Sequence, residues 1–315
     1  MVAALLYMYK YIIMDFNEFD ITSFVVGGGR KAPKQLDVHE VVNQVTLDTS
    51  ECAPGVENIG GICLSKHAKT AIVNKAGAEI FDINDAVEKV KKQTGCNDTV
   101  CTLSKLPESE TLINESLKPS GPRNTTGLLS NFNIDHSLGQ WALEFDTFYP
   151  CPFAMVDFAT CGDHLGTVDM KSVMSGVSSG FKLLDGSTRV IFDCFGCVMN
   201  TDYSTGGGKH WVAIFVDCRE GHEPWTVEYF NSTGNPPPKQ VVVWMEETTA
   251  ALSELNKTES VIVTKFDHQE SQTECGNYSL YFIRCRLENV PVSFFNEGLI
   301  SDDAMIEFRK RLFRD

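Results

Sequence analysis

Positive charge is scarce in this chain. Its 315 residues hold 27 Lys and Arg against 42 Asp and Glu, a formal net charge of -15. Affinity for phosphate comes mostly from Lys and Arg, so a surface that grips nucleic acid through bulk charge is excluded. A long hydrophobic run is also missing. The apolar start "MVAALLYMYKYIIM" is broken by Lys10 and is too short to span a bilayer, and no small-residue cleavage site of signal-peptide type follows it. These features point to a soluble, intracellular protein with no membrane insertion. The cysteine density of a disulfide scaffold is lacking as well: eleven cysteines scattered over the chain suit a reducing compartment. The six N-x-S/T sequons, at Asn97, Asn114, Asn124, Asn231, Asn256 and Asn277, carry no meaning without secretion. Repeats and low-complexity tracts are absent.

What remains is ordinary globular composition, 43% hydrophobic and 10% aromatic, enough for a sizeable core. The texture changes near residue 120. Ahead of it lie polar segments with helical patches such as "INDAVEKVKKQ"; after it come dense aromatic and β-branched runs bounded by turns. The Pro-, Gly- and Ser-rich stretch "LPESETLINESLKPSGPRNTTG" reads as a linker. We therefore divide the chain into an N-terminal extension (1–35), an arm domain with linker (36–126) and a main domain (127–315).

In the main domain, "VIFDCFGCVMN", "HWVAIFV", "WTVEYFN" and "VIVTKF" are near-continuous apolar runs expected of strands buried on both faces of one central sheet. "QVVVWMEETTAALSEL" carries Val241, Trp244, Met245, Thr248, Leu252 and Leu255 at helical spacing. A last helix in "SDDAMIEFRKRLFR" has Ser301 as its cap, Asp302 and Asp303 in its first turn and arginines at its end. The mixed order of strands and helices makes the fold class α+β.

One stretch points to chemistry. In "HQESQTECGNYSLYFIRCRL", Tyr278, Tyr281, Phe282 and Cys285 recur at spacings of three and four, so the segment after the Cys-Gly pair reads as a helix with one buried face and Cys275 in its first turn. Thr273 is its expected cap. The unpaired N–H groups and positive dipole end of a first turn favour a thiolate, which is how a nucleophile is made. The plainer reading is a half-buried structural cysteine. A nucleophilic cysteine needs an imidazole and a third group to orient it. His210 opens a strand directly after the glycine-rich loop "STGGGK", and Asn231 ends the next strand. Two adjacent strand ends can present both side chains to one helix start. Alternatively, His210 is bonded to backbone and Asn231 is a turn residue.

The ordered blocks "GKHWVAIFVD", "EYFNSTGNPPP" and "HQESQTECGNYSLYFIR" resemble the polyprotein-processing cysteine proteases of African swine fever virus and related large DNA viruses, within the SUMO-deconjugating and adenovirus protease superfamily. "CPFAMVDF", "GCVMNTDYSTG" and the ending "FRKRLFR" extend the likeness over most of residues 120–315, and "SECAPGVENIGGICLSK" and "GCNDTVC" carry it more weakly into the arm. The resemblance implies a papain-like, SUMO-protease-like core with a central mixed sheet flanked by helices, plus a mainly helical arm. It implies Cys275 as nucleophile, His210 as general base and then acid, Asn231 as the group orienting the imidazole, and Gln269, six residues before Cys275, as oxyanion donor; Gln272 is a competitor at the wrong offset. Many family members have an acidic residue in place of Asn231. Trp211 falls where SUMO proteases roof a channel for Gly-Gly, and Phe132 is a candidate opposing wall; ordinary core packing is the alternative for both.

The same resemblance implies no metal and no cofactor, cleavage of viral structural polyproteins after Gly-Gly-X sites, and a location in the host cytoplasm at assembly sites and in the virion. The alternatives are an isopeptidase acting on SUMO or ubiquitin-like conjugates and a non-catalytic binding module for ubiquitin-like proteins. Cys194 and Cys197 as a CxxC, with Cys161 and His164 as a CxxH, have zinc-like spacing, but Cys194 is expected mid-strand rather than on a knuckle. Gly27–Gly29 before Arg30 form a candidate self-processing site, and Met14 is an alternative start.

Overall fold

The computed structural model describes residues 33–77, 79, 82–174 and 192–314. The Gly27–Gly29 segment and the apolar run before it lie outside them. Residues 34–315 form one compact unit.

The chain enters the unit with a short helix, α1 (Val38–Val42), whose N-cap Asp37 accepts from the amides of His39 and Glu40. Leu36, Val41, Val42, Val45 and Leu47 belong to the same apolar cluster as Tyr278, Tyr281 and Phe282, so this first segment packs with the main core. A hairpin follows, β1 (Glu57–Ile59) and β2 (Ile62–Leu64), turned by Gly60 and Gly61. Both glycines have positive φ, 59° and 86°, which residues with a Cβ rarely adopt. Four helices complete the arm: α2 (Lys66–Ala76), α3 (Ile83–Thr94), α4 (Thr99–Ser104) and α5 (Ser109–Ser116). α3 shows the expected helix with its signals in place, Asp82 capping the start and Gly95 in the left-handed conformation at the end. These elements bury their own cluster, including Ile62, Ile72, Val87, Val90, Leu103 and Leu112.

The expectation of uniformly reduced thiols is corrected here. Cys52 is bonded to Cys63, with Cα atoms 5.2 Å apart, and Cys96 to Cys101, 5.5 Å apart. The hairpin and the start of α4 bring these pairs together, a proximity that cysteine spacing alone does not reveal.

The main domain opens with α6 (Asn131–Glu144), started by a capping box between Ser130 and Asn133. Then come β3 (Phe148–Pro150), β4 (Ala154–Met155) and three short helices, α7 (Phe158–Cys161), α8 (His164–Thr167) and α9 (Met170–Met174). The remaining strands are β5 (Cys194–Asn200), β6 (Trp211–Asp217), β7 (Trp225–Phe230) and, after α10 (Lys239–Ser253), β8 (Thr258–Val263). They form one mixed six-stranded sheet in the order β3-β5-β6-β7-β8, with β4 also on β5. β5, β6 and β7 are antiparallel neighbours, and β8 joins β7 in parallel. Alternate residues serve opposite faces: Trp211, Ala213 and Phe215 enter one cluster and Val212, Ile214 and Val216 the other. β8 departs from the reading of its sequence. It begins at Thr258 and lies at the sheet edge with Ile262 half exposed, because only one neighbour covers it.

The final helices are α11 (Cys275–Leu287) and α12 (Asp302–Leu312), the latter capped by Ser301 as expected. α11 is buried along its whole length rather than on one face. It lies against β5 and β6, with α6 and α12 on its other sides. Gly196 lets it approach the sheet, since a Cβ there would stand 2.9 Å from Phe148 and 3.1 Å from Ile283. All-round burial brings charge inside, and each charge is answered. Arg284 pairs with Glu144 and Glu288, and Arg286 with Asp217 and Glu228. Just ahead of α11, Glu274 pairs with Arg309 of α12 at 2.8 Å, both fully buried.

Removing one member of such a pair strands a buried charge, at a cost of about 3–5 kcal/mol. Arg309→Ala is therefore expected to lower the unfolding free energy by that amount in denaturant titration, whereas Lys310→Ala, on an exposed pair, costs under about 1 kcal/mol. Equal effects of the two would contradict this account of α12.

Candidate active site

The loop between β5 and β6 is built on two buried polar side chains. Asn200 Oδ1 accepts from the Lys209 and Asp202 amides, and Asp202 accepts from the Tyr203 and Gly208 amides while pairing with Lys209. Gly206 passes so close that a Cβ would overlap the Asp202 carboxylate, and Gly208 has φ +90°. The glycine run is thus a wrapped turn held by these bonds. It delivers His210 to the start of β6, where its carbonyl accepts from Thr201 N–H at 2.8 Å.

At the end of β7, Asn231 faces His210, with Oδ1 2.8 Å from Nε2. Its Nδ2 donates to the Asn235 carbonyl at 3.1 Å and to Tyr229 OH at 3.2 Å. A backbone carbonyl can only accept, so it fixes the amide with Oδ1 toward the ring. Nε2 must then carry the proton, which leaves the Nδ1 lone pair as the base. Asn231 is also the turn residue its sequence suggests, since the same Oδ1 accepts from the Thr233 amide at 3.1 Å and the Gly234 amide donates to its carbonyl, so the turn and the bond to the ring share one side chain.

Cys275 is the first residue of α11 and is 3% exposed. The N–H groups of Trp211, Gly276 and Cys275 itself favour its thiolate. Since Trp211 directly follows His210, the thiol lies at the histidine end of β6. Gly276 lets the linker close over the helix start: a Cβ there would meet Leu129 at 3.0 Å. Thr273 does not cap α11; Glu274 occupies that position with no side-chain cap bond, because its carboxylate is committed to Arg309.

Burial dominates the electrostatics. Desolvation pushes the Cys275 thiol above its ordinary value despite the three N–H groups, and pushes the His210 imidazolium below its own, partly offset by Asn231. Burial thus acts against both the thiolate and the imidazolium. The helix start alone, read from sequence, suggests a lowered thiol.

Gln269 is buried, its Oε1 accepting from Ser232 Oγ at 2.8 Å and its Nε2 donating to the Ser271 carbonyl at 2.7 Å. Gln272 is exposed. The neighbouring His268 is kept neutral, its pKa pushed down to about 4 by burial, and its Nδ1 accepts from Ile300 N–H.

Trp211 is held by its indole N–H, which donates to the Leu129 carbonyl at 3.2 Å. Phe132 is on the surface at the start of α6, 69% exposed, so core packing does not account for it. The aromatic ring found edge-on to Trp211 is Phe153, 6.1 Å away, in the "CPFAMVDF" block. Sequence reasoning missed Phe153 and Ser232, whose partners lie far along the chain, and Asp202, whose partners Tyr203, Gly208 and Lys209 lie in its own turn. Cys194 and Cys197 enter opposite faces of the sheet and so cannot chelate one ion, Cys161 is exposed, and His164 Nε2 is bonded to Tyr149 OH.

With this geometry in place, relatives can be compared. Residues 192–315 match the catalytic domain of the Ulp1 protease family. A cysteine protease of African swine fever virus, isolate Tick/Malawi/Lil 20-1/1983, is 39% identical over 286 residues, covering 87% of this chain and 98% of the relative. This chain belongs to the Ulp1 cysteine protease family. A crystal structure of the African swine fever virus protease superposes with a TM-score of 0.69 at 37% identity, covering 86% of this chain and 98% of that one. The protein is therefore a cysteine protease with an α+β, SUMO-protease-like fold. Among the described residues, no helix is long and apolar enough to cross a membrane.

Within this protease, the burial of the thiol has a kinetic signature. Iodoacetamide alkylation at the Cys275 peptide, followed by mass spectrometry, is expected to keep accelerating beyond the pH range of an ordinary thiol, because burial pushes the folded thiol up. A plateau already reached below pH 7 would show a resting thiolate–imidazolium pair instead.

Proposed function

We propose that this protease is an endopeptidase that cuts viral structural polyproteins after Gly-Gly-X type sequences during virion maturation, in the host cytoplasm at assembly sites and in the virion. The observation that carries the reading is the pinned indole of Trp211 directly after His210, bonded to Leu129, which itself lies on Gly276 beside Cys275. On this reading the indole roofs the path to Cys275, and a stretch of glycines, having no side chains, fits beneath it.

The reaction follows from the groups present. His210 Nδ1 takes the Cys275 proton as sulfur attacks the scissile carbonyl. The Gln269 amide and the N–H groups at the start of α11 receive the developing oxyanion, a contribution of about 3 kcal/mol per donor. His210 then protonates the leaving amine, and water, deprotonated by the same ring, releases the acyl group from sulfur. Asn231 keeps the ring in its tautomer and, being neutral, stabilises the imidazolium less than a carboxylate does. No step calls for a metal or a cofactor.

A relative from isolate Pig/Kenya/KEN-50/1950 of the same virus, named a SUMO-1 cysteine protease, is 39% identical over 286 residues, covering 87% of this chain and 98% of the relative. That name motivates a second reading, an isopeptidase acting on ubiquitin-like conjugates. The two are separated by offering purified enzyme a viral core polyprotein containing Gly-Gly-X and a panel of SUMO and ubiquitin conjugates, with terminal sequencing of products. Polyprotein cleavage after Gly-Gly-X is expected. Cys275→Ser and His210→Ala abolish it, and Asn231→Ala leaves a measurable remnant, since it removes only the orienting group. Release of SUMO with the polyprotein left intact would overturn the endopeptidase reading.

A further inference from the structure

We infer that Ser232 is a positioning residue for the oxyanion donor Gln269, a role that rests on the reading of Gln269 given above. The argument begins with the amide itself. Gln269 presents an oxygen at one end and NH2 at the other, and only the NH2 end stabilises a developing oxyanion; the flipped amide would repel it. Two bonds choose between these states. The Ser271 carbonyl, which can only accept, holds one Nε2 hydrogen at 2.7 Å. Ser232 Oγ donates to Oε1 at 2.8 Å, occupying the oxygen end and leaving the second Nε2 hydrogen for the substrate.

Ser232 also fixes where Gln269 sits. Its carbonyl accepts from both the His268 amide at 2.7 Å and the Gln269 amide at 3.1 Å. The side chain is 1% exposed, so water does not replace its hydroxyl. Its neighbour in sequence is Asn231, which orients His210. One dipeptide at the end of β7 therefore sets the tautomer of the base with one side chain and the orientation of the oxyanion donor with the next. No contact with substrate is required of Ser232; it acts through Gln269.

Alkylation and turnover separate this role from a structural one. Iodoacetamide attack at Cys275 passes through no oxyanion, whereas peptide cleavage does. With a fluorogenic Gly-Gly-X peptide, Ser232→Ala is expected to lower kcat by roughly ten-fold, less than the ~10²–10³ of losing a donor outright, with little change in KM. The alkylation rate at Cys275 stays at the wild-type value, and Ser232→Thr, which keeps the hydroxyl, recovers most of the turnover. Added to Gln269→Ala, the Ser232→Ala change costs nothing further, because the amide it orients is gone. Should the alanine variant not fold, Ser232→Cys keeps the volume with a weaker donor and is read in the same way.

Normal kcat in Ser232→Ala beside a crippled Gln269→Ala would overturn the role given to Ser232 alone. Equal slowing of alkylation and turnover would show that Ser232 merely holds the fold, again against the proposal. Normal kcat in Gln269→Ala would remove the oxyanion reading, and this inference with it.

Discussion

The buried pair between Glu274 and Arg309 is the constraint on which the nucleophile's position depends. Two opposite charges, neither with access to water, must stay together, because separating them would strand each in an apolar interior. Arg309 also donates to the carbonyls of Pro122 at 3.2 Å and Gly127 at 2.7 Å. One guanidinium thus ties the last helix, the residue before Cys275 and the incoming linker into one joint. The linker then lays Leu129 on Gly276 and brings its carbonyl to the indole N–H of Trp211. The start of α11 cannot shift without breaking bonds in three segments.

This rigidity matters because burial works against both charged forms at the site. The burden then falls on orientation. His210 is aimed by Asn231, whose own amide is fixed by a backbone carbonyl, and Gln269 is fixed by Ser232 and Ser271. In each case an acceptor-only group decides which end of an amide faces inward. Geometry set before substrate arrives need not be reorganised during the step.

The main strands, α10, α12 and the Cys275, His210 and Asn231 set were legible because their signals are local: period-two burial, helical spacing, a serine cap, a glycine-rich turn before a histidine. Most of the failures share one cause, partners far away in sequence; the disulfides, between cysteines 11 and 5 residues apart, are the exception. Thr273 has a capping residue's chemistry, but Arg309, 35 residues after Glu274, fixes the helix start instead. The spacing around Tyr278 and Tyr281 describes one face of α11 and is silent about the charged residues, such as Glu144, Asp217 and Glu228, that let Arg284 and Arg286 be buried on the others. Ile262 reads as a core strand residue until the sheet order puts β8 at the edge. The disulfides needed the arm's own packing to become visible, and Phe153 needed the chain to return beside Trp211.

The central claim is that a nearly inaccessible thiol is the reactive one because the site recognises what reaches it. Cys161, a free and exposed cysteine, supplies an internal control, since accessibility alone would favour it over Cys275. The most direct measurement is to treat the intact protease with a thiol-reactive peptide ending in Gly-Gly and map the modified residue by mass spectrometry. The account predicts a stoichiometric label at Cys275, lost in His210→Ala and absent with a matched peptide ending in two leucines. Preferential labelling of Cys161, or equal labelling of Cys275 by both peptides, would contradict it.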